Sequence, residues 1–129
     1  MSKVSAMAVA KVLLLPGLVG LGILDGQALG LPLVTTAVPF HSHEIAYLSP
    51  GVNGVCVAAW RDPEAYAREV VRLLTDPELL ARLRDGCLRS AADHTVERMA
   101  ANFTAGILNA LATPPLPGSW SPRRTGSRA

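Results

Sequence analysis

An apolar stretch near the N-terminus of the chain is also rich in glycine. The segment PGLVGLGILDGQALGLP, residues 16–32, has glycine at positions 17, 20, 22, 26 and 30 among leucine, isoleucine and valine. Glycine weakens regular helices and strands, and it suits positions where the backbone turns tightly or approaches another group closely. Three structures fit such a segment: a membrane span, a cleaved export signal, and a turn that holds a phosphate and leads into a helix.

The sequence favours the turn over the two membrane-related structures. The uncharged run from Val12 to Leu24 has 13 residues, whereas a helix needs roughly 20 apolar residues to cross a bilayer. Lys11 before the run and Pro16-Gly17 inside it also disfavour an export signal. Lys3 nevertheless fits the basic N-terminal region of a signal peptide, which would be cleaved after residues 27–29. A small exported protein that loses its first 29 residues therefore stays open as an alternative.

Composition predicts one small globular domain in a reducing cellular compartment. The chain has 129 residues, of which 50% are hydrophobic and 17% charged, and its net charge of +2 gives no reason to expect a nucleic-acid partner. Cys56 and Cys87 lie far apart without metal-binding or redox spacing, which favours a cytoplasmic location. Residues 113–129 are rich in Pro, Ser and Gly, so we predict a domain over 1–112 followed by a disordered tail.

The order of apolar runs indicates an α/β fold. Short continuous runs at Val12–Leu15, Leu33–Thr36 and Val55–Ala58 are typical of strands that are buried on both faces of a parallel sheet. Between the first two, apolar residues recur at helical spacing from Val19 to Leu29. Strand, turn, helix and strand form a βαβ unit. We therefore predict a partial Rossmann-like domain with about three parallel strands and flanking helices.

The second half of the chain is predicted to be helical. Asp62-Pro63-Glu64 and Asp76-Pro77-Glu78 repeat one helix-start signal, in which Asp caps the first amides and Pro takes the first helical position. A third helix runs from about Thr95 until Pro114-Pro115 prevents its continuation. The apolar stripe predicted for the first of these helices consists of Ala67, Val70, Val71 and Leu74.

Three segments together resemble a known family. They are VLLLPGLVGLGILDGQALGLPLVTT at residues 12–36, HSHEIAYLSPGVNGVCV at 41–57 and DPEAYAREVVRLLTDPELLARL at 62–83. They look like the C-terminal half of the nucleotide-sugar-binding domain of retaining glycosyltransferases of the group 1 type, which have the GT-B fold. Members read approximately P-S-x-x-E-G-F-G-L-x-x-x-E-A-M-A-x-G-x-P-V-V, followed by an acidic residue, x-N-G and D-P. The resemblance covers about residues 10–111.

The motif departs from the family pattern at one of its two acidic positions. Gly17 stands where the first motif glutamate would fall, and Asp25 stands at the second. A subset of these enzymes carries P-G-x-V-G-L, and PGLVGL at residues 16–21 is similar to that variant. The resemblance therefore keeps the second carboxylate and leaves the contact of the first one open.

The resemblance assigns a chemical purpose to the glycine-rich segment. A nucleotide-sugar donor carries a diphosphate, which backbone N–H groups at the start of a helix can bind. We predict that Gly17 and Gly20 shape this turn and that the amides of Val19, Gly20 and Leu21 face the donor. Asp25 lies one helical turn beyond Leu21, where its carboxylate would accept the ribose hydroxyls.

The segment His41-Ser42-His43-Glu44 has the residue types of a metal site but lacks a second ligand cluster, since His94 is the only other histidine. We expect no metal and no cofactor. The resemblance matches Glu44 to the acid of a short helix after the second strand, where it would cap that helix or border the donor pocket. No catalytic residue is assigned. The predicted donor-binding residues are Gly17, Val19, Gly20, Leu21, Asp25 and Glu44.

The resemblance implies sugar transfer from a nucleotide sugar to an acceptor with retention at the anomeric carbon. In that family the acceptor is read largely by a separate domain, and a basic pair upstream of this segment neutralises the departing diphosphate. Only Lys3 and Lys11 precede the motif here. We therefore expect a truncated or separately encoded piece that is inactive alone. The alternative is a non-catalytic nucleotide-sugar-binding piece that is completed by a partner chain supplying the acceptor domain.

Overall fold

Three short strands form one parallel sheet in the order β1-β2-β3. The computed structural model describes residues 2–114. Its helices and strands are α1 Lys3–Ala8, β1 Leu13–Leu14, α2 Gly22–Ala28, β2 Leu33–Thr36, a 3-10 helix His43–Tyr47, β3 Gly54–Val57, α3 Pro63–Thr75, α4 Pro77–Asp93 and α5 Val96–Ala112. The predicted α/β class with three parallel strands, flanking helices and a helical second half is confirmed.

The chain divides after Thr95 into two compact units. The first contains the sheet with α1 to α4, and the described part of the second is α5. The tail predicted at 113–129 lies, from residue 115 onward, outside the described residues. None of the helices between residues 2 and 114 is long and apolar enough to span a membrane.

Both faces of the sheet are buried. Successive side chains along a strand point to opposite faces, and each face is covered by helices. Leu33 packs on one face against Val19 and Ile23, whereas Val34 packs on the other against Leu73 and Leu83. All six side chains are at most 1% exposed. Burying one such side chain stabilises a fold by about 1.5–3 kcal/mol. Since Val19 and Ile23 come from the glycine-rich segment, this segment is part of the core, and removal of the first 29 residues would delete β1 and α2.

The two Asp-Pro signals start helices as predicted. The Asp62 carboxylate accepts hydrogen bonds from the amides of Glu64 and Ala65, at 2.9 and 3.0 Å. Asp76 accepts one from the amide of Leu79 at 2.9 Å. Pro63 and Pro77 each take the first helical position.

The apolar stripe predicted for α3 is wrong in register. Leu73 is the fully buried residue of α3, and Val70 is partly buried. Val71 is 59% exposed and Leu74 41% exposed, and Ala67 is exposed as well. The row of residues that faces the sheet therefore runs through Leu73, because the docking of the helix selects one of several overlapping apolar rows.

A buried amide fixes the loop that enters β3. Asn53 is 2% exposed, and its Oδ1 accepts a hydrogen bond from the Ser49 amide at 2.8 Å. Its Nδ2 donates to the Tyr47 carbonyl at 3.0 Å and to Ser90 Oγ on α4 at 2.9 Å. Gln27 on α2 donates to the same Tyr47 carbonyl at 2.8 Å. These bonds tie α2, α4 and the 3-10 helix together at the amino edge of the sheet, where β2 and β3 begin.

Candidate functional site

Loops from all three strands meet at the carboxyl edge of the sheet. In open α/β sheets, ligands bind at this edge. Residues 15–21 follow β1, residues 37–42 follow β2, and residues 58–62 follow β3. The first of these loops contains the glycine turn, which we define as residues 16–21. Four of the six predicted donor-binding residues lie on this turn.

Five of the six carbonyl oxygens of the glycine turn accept hydrogen bonds from the protein. Three accept hydrogen bonds from hydroxyl groups on β2 and on the loop after it. These bonds are Thr36 Oγ1 to Pro16 O at 2.5 Å, Thr35 Oγ1 to Gly17 O at 3.3 Å, and Ser42 Oγ to Val19 O at 2.5 Å. We call these three donor side chains the hydroxyl cluster. Two more carbonyls, those of Gly20 and Leu21, accept from the amides of Ile23 and Leu24 at 3.2 and 3.0 Å.

The amides of the same turn have no such partners. The N–H groups of Val19, Gly20 and Leu21 donate to no group within residues 2–114. Leu21 is the N-cap residue of α2, so its amide is one that a helix start leaves without an intrahelical acceptor, while Val19 and Gly20 lie in the loop just before the helix. Because α2 has only seven residues, we attribute the anion-binding capacity to these individual amides rather than to a helix dipole. The turn thus has bonded carbonyls and available donors.

The side chains of the turn point in different directions. Val19 is fully buried in the core, whereas Leu21 is 64% exposed. Asp25 is exposed on α2, one helical turn beyond Leu21, and α2 buries Ile23, Gly26 and Gln27 on its other side. Of the predicted set, Val19 therefore contributes its backbone amide only. Leu21 and Asp25 share the exposed face of the helix start.

The prediction that glycine shapes the turn is wrong. Positive φ occurs among the described glycines only at Gly30 and Gly51, at 66° and 81°. A Cβ atom built on Gly17, Gly20 or Gly22 meets nothing within 4 Å. Neither the backbone conformation nor the packing of the described chain requires glycine there. What the glycines provide is open space in front of the unbonded amides.

Glu44 lies in the first turn of the 3-10 helix, next to the hydroxyl cluster. The pKa of the Glu44 carboxyl is lowered by the polar Ser42 side chain beside it and then by the backbone amide of Glu44 itself; burial opposes this, and His43 adds a smaller lowering. The carboxylate is therefore ionised at neutral pH. The one Ser42 hydroxyl proton is donated to Val19 O. The N-cap residue of this 3-10 helix is Ser42, and no side-chain hydrogen bond caps the helix start.

His41 packs against the end of β2. Its Nε2 lies 2.7 Å from the Thr36 carbonyl oxygen. Because a carbonyl only accepts hydrogen bonds, Nε2 carries the proton. His41 Nδ1 is buried without a partner among the described residues. Within residues 2–114, no group of three or more His, Cys, Asp or Glu side chains could hold a metal ion.

An aromatic cluster at the same edge was missed by sequence reasoning. The rings of Phe40 and Trp60 form an edge-to-face pair with centroids 6.4 Å apart, and the Arg61 guanidinium lies 4.4 Å from the Trp60 ring centroid. Phe40 is 60% exposed. The two aromatic residues follow the ends of β2 and β3, so their position after predicted strands was the signal available in the sequence.

The chain matches known proteins over the sheet and the site. A model of the family of glycosyl transferases group 1 matches residues 2–76, which include all three strands and the glycine turn. D-inositol 3-phosphate glycosyltransferase 1 of Catenulispora acidiphila is 35% identical over 92 residues, which are 68% of this chain and 21% of that protein. D-inositol 3-phosphate glycosyltransferase of Thermobispora bispora is 34% identical over 92 residues, with the same two shares. The chain therefore spans about a fifth of the length of the curated relatives it matches. Because the family model covers more than half of the chain, this protein belongs to the group 1 glycosyl transferases.

Proposed function

We propose that this chain is the donor-binding part of a GT-B glycosyltransferase that moves a sugar from a nucleotide sugar to an acceptor with retention. The glycine turn binds the donor diphosphate, and Asp25 binds the ribose. The observation that carries the proposal is the pattern of the turn, whose carbonyls are bonded inward while the amides of Val19, Gly20 and Leu21 bond to nothing within residues 2–114. Family membership supplies the reaction class.

Three amide donors are enough for a measurable affinity. Hydrogen bonds to charged groups contribute about 1.5–3 kcal/mol each. At the upper end of that range, three of them supply about 9 kcal/mol. After about 5 kcal/mol for the freedom that the ligand loses, the remainder of about 4 kcal/mol corresponds to a dissociation constant of about a millimolar. Open space around Gly17 and Gly20 lets phosphate oxygens approach the backbone without a Cβ atom in the way.

Asp25 would recognise the ribose because an ionised carboxylate accepts two hydroxyl hydrogen bonds at once. The test is a titration of UDP, GDP, ADP and inorganic pyrophosphate into the chain and into Asp25→Ala. We expect at least one nucleotide to bind, and Asp25→Ala to weaken it about tenfold, since a hydrogen bond to a charged group is lost. Pyrophosphate, which has no ribose, should bind both proteins equally.

The control is Asp25→Asn, which keeps the shape and two acceptor lone pairs but removes the charge. An intermediate affinity is expected for it. If none of the three nucleotides binds the unchanged chain, the donor-site proposal is overturned. If Asp25→Ala weakens pyrophosphate as much as nucleotide, the ribose role of Asp25 is wrong.

A second candidate is a non-catalytic piece that binds a nucleotide sugar and is completed by a partner chain. Within the described residues, β1 pairs only with β2, so its other edge is available to a further parallel strand. Both forms are expected to be inactive as the isolated chain, so the comparison is made after a chain with the acceptor domain is added: nucleotide binding that is still accompanied by no transfer or donor hydrolysis would favour this candidate. We place either form in the cytoplasm, and the free thiols of Cys56 and Cys87 support a reducing compartment.

A further inference from the structure

We propose that the hydroxyl cluster positions the donor diphosphate by holding the carbonyl oxygens of the glycine turn inward, so that the amide N–H groups point at the anion. This inference rests on the proposed function, because the anion is the donor diphosphate. Thr35, Thr36 and Ser42 are positioning residues in this sense: they act on the ligand through the backbone that they hold. The evidence is their hydrogen bonds to Gly17, Pro16 and Val19.

The geometry of the peptide unit connects each hydroxyl to an amide. In a trans peptide, the carbonyl oxygen of one residue and the N–H of the next point in opposite directions, and the described chain has no cis peptide. The Ser42 bond to Val19 O therefore turns the Gly20 N–H away from Ser42. The Thr35 bond to Gly17 O does the same for the Leu18 N–H, and the Thr36 bond to Pro16 O for the Gly17 N–H. Like the amides of the three residues that follow, these two donate to no group within residues 2–114.

Glycine makes this restraint necessary. Because Gly17 and Gly20 lack a Cβ atom, the peptide units next to them rotate more easily than those between other residues. A peptide that rotated by half a turn would present the partial negative charge of its carbonyl oxygen to the diphosphate. The open turn that admits the ligand thus needs an external restraint on the orientation of its peptides.

The hydroxyl donors sit on the most firmly held part of the sheet. Thr35 and Thr36 are 0% and 3% exposed, and β2 is the central strand, paired on both sides. A buried hydroxyl costs free energy unless it is hydrogen-bonded, so valine would serve the core equally well at both positions. The hydroxyls are explained by the turn carbonyls that they bind.

The test measures binding of inorganic pyrophosphate to the 129-residue chain and to two pairs of variants. Thr36→Val and Ser42→Ala remove the hydroxyl, while Thr36→Ser and Ser42→Thr retain it. We expect the first pair to weaken pyrophosphate binding about tenfold, as a lost or misdirected hydrogen bond to a charged group does. The retaining pair should stay within about threefold of the unchanged chain. The free energy of unfolding is measured in parallel, so that affinity is compared between folded proteins.

The outcomes separate this inference from the proposed function. If the unchanged chain does not bind pyrophosphate, the inference fails, and the donor site fails with it if none of the three nucleotides binds either. If it binds, and Thr36→Val and Ser42→Ala bind equally well, the positioning role is overturned and the donor site stands. If Thr36→Ser and Ser42→Thr lose affinity as strongly as the variants without hydroxyls, side-chain shape rather than the hydroxyl matters, and the inference is also wrong. Ser42 is only half-buried, so its variants keep the test valid even if Thr36→Val does not fold.

Discussion

Two groups of glycines in this chain have opposite relations to their surroundings. At Gly54, an added Cβ atom would overlap the Leu33 carbonyl oxygen of the neighbouring strand, and at Gly86 it would overlap the Val52 carbonyl oxygen. At Gly17, Gly20 and Gly22, it would meet nothing within 4 Å. The first group allows backbones of α4, β2 and the loop before β3 to touch. In the second group, a side chain would point into open space.

The difference separates the demands of folding from those of binding. A packed core accounts for Gly54 and Gly86, because any larger residue would push two backbones apart. Packing does not account for Gly17 and Gly20. A phosphate ligand needs space in front of unbonded amides, so the proposed donor site would explain this second group.

The largest change in stability is expected in the packed group, Gly54 and Gly86. Gly86→Ala should destabilise the chain by about 3 kcal/mol or more, because its Cβ overlaps a backbone carbonyl that no side-chain rotation can relieve. Urea unfolding measures the change. The matched control is Gly22→Ala at the start of α2, where space is open and alanine should stabilise by about 0.5–1 kcal/mol. Equal urea midpoints for the two variants would remove the distinction between the groups.

The open group should show the reverse behaviour. Gly20→Ala is expected to change the free energy of unfolding by no more than about 1 kcal/mol. The added methyl group in front of the turn amides should weaken pyrophosphate binding about tenfold, since lost amide contacts to a charged ligand cost about 1.5 kcal/mol or more. Calorimetric titration measures the affinity. Unchanged affinity would mean that the space around Gly20 does not serve the ligand.

A helix cap far from the turn tests whether instability alone impairs binding. Asp76 caps α4 through the Leu79 amide, so Asp76→Ala should cost about 1 kcal/mol of stability. Asp76→Asn, which also caps well, should cost less. Pyrophosphate affinity per folded molecule should be the same in both variants. A weaker affinity in Asp76→Ala would show that binding follows global stability, and the comparison of the two glycine groups would lose its meaning.

The smallest effect is the pH dependence of the free energy of unfolding that comes from Cys87, which is next to Gly86 in the packed group. Burial raises the pKa of the Cys87 thiol from 9.0 to about 11, slightly offset by Arg84. Between these values the unfolded chain releases the thiol proton and the folded chain keeps it, so stability falls as pH rises. From pH 8 to 9.5 this group should cost about 0.8 kcal/mol. Cys87→Ala should remove that part of the decline; an identical decline in both proteins would contradict it.

Local signals in the sequence predicted most of the elements. The strands at Leu33–Thr36 and Gly54–Val57 follow from continuous apolar runs, and α3 and α4 follow from the two Asp-Pro starts. Each of these signals lies within a few neighbouring residues. They could therefore be read without knowing the tertiary structure. The short helix α1 was not predicted.

Features that depend on docking could not be predicted in this way. The buried residue of α3 is Leu73 rather than the exposed Val71, because only the contact with the sheet selects the inward row. The bonds of the hydroxyl cluster join residues 18 to 23 positions apart. Nothing in the pattern LVTT at β2 indicates that its hydroxyls reach the glycine turn. The sequence therefore predicted the turn but not what holds it.

The most direct test is a titration of inorganic pyrophosphate into the isotopically labelled 129-residue chain, followed by amide resonances in nuclear magnetic resonance spectra. We expect the amide signals of Val19, Gly20 and Leu21 to shift most, with a single dissociation constant of about a millimolar. Ser42→Ala should reduce these shifts at equal ligand concentration. Unshifted signals at these three amides, or largest shifts at Phe40 and Trp60 instead, would contradict it.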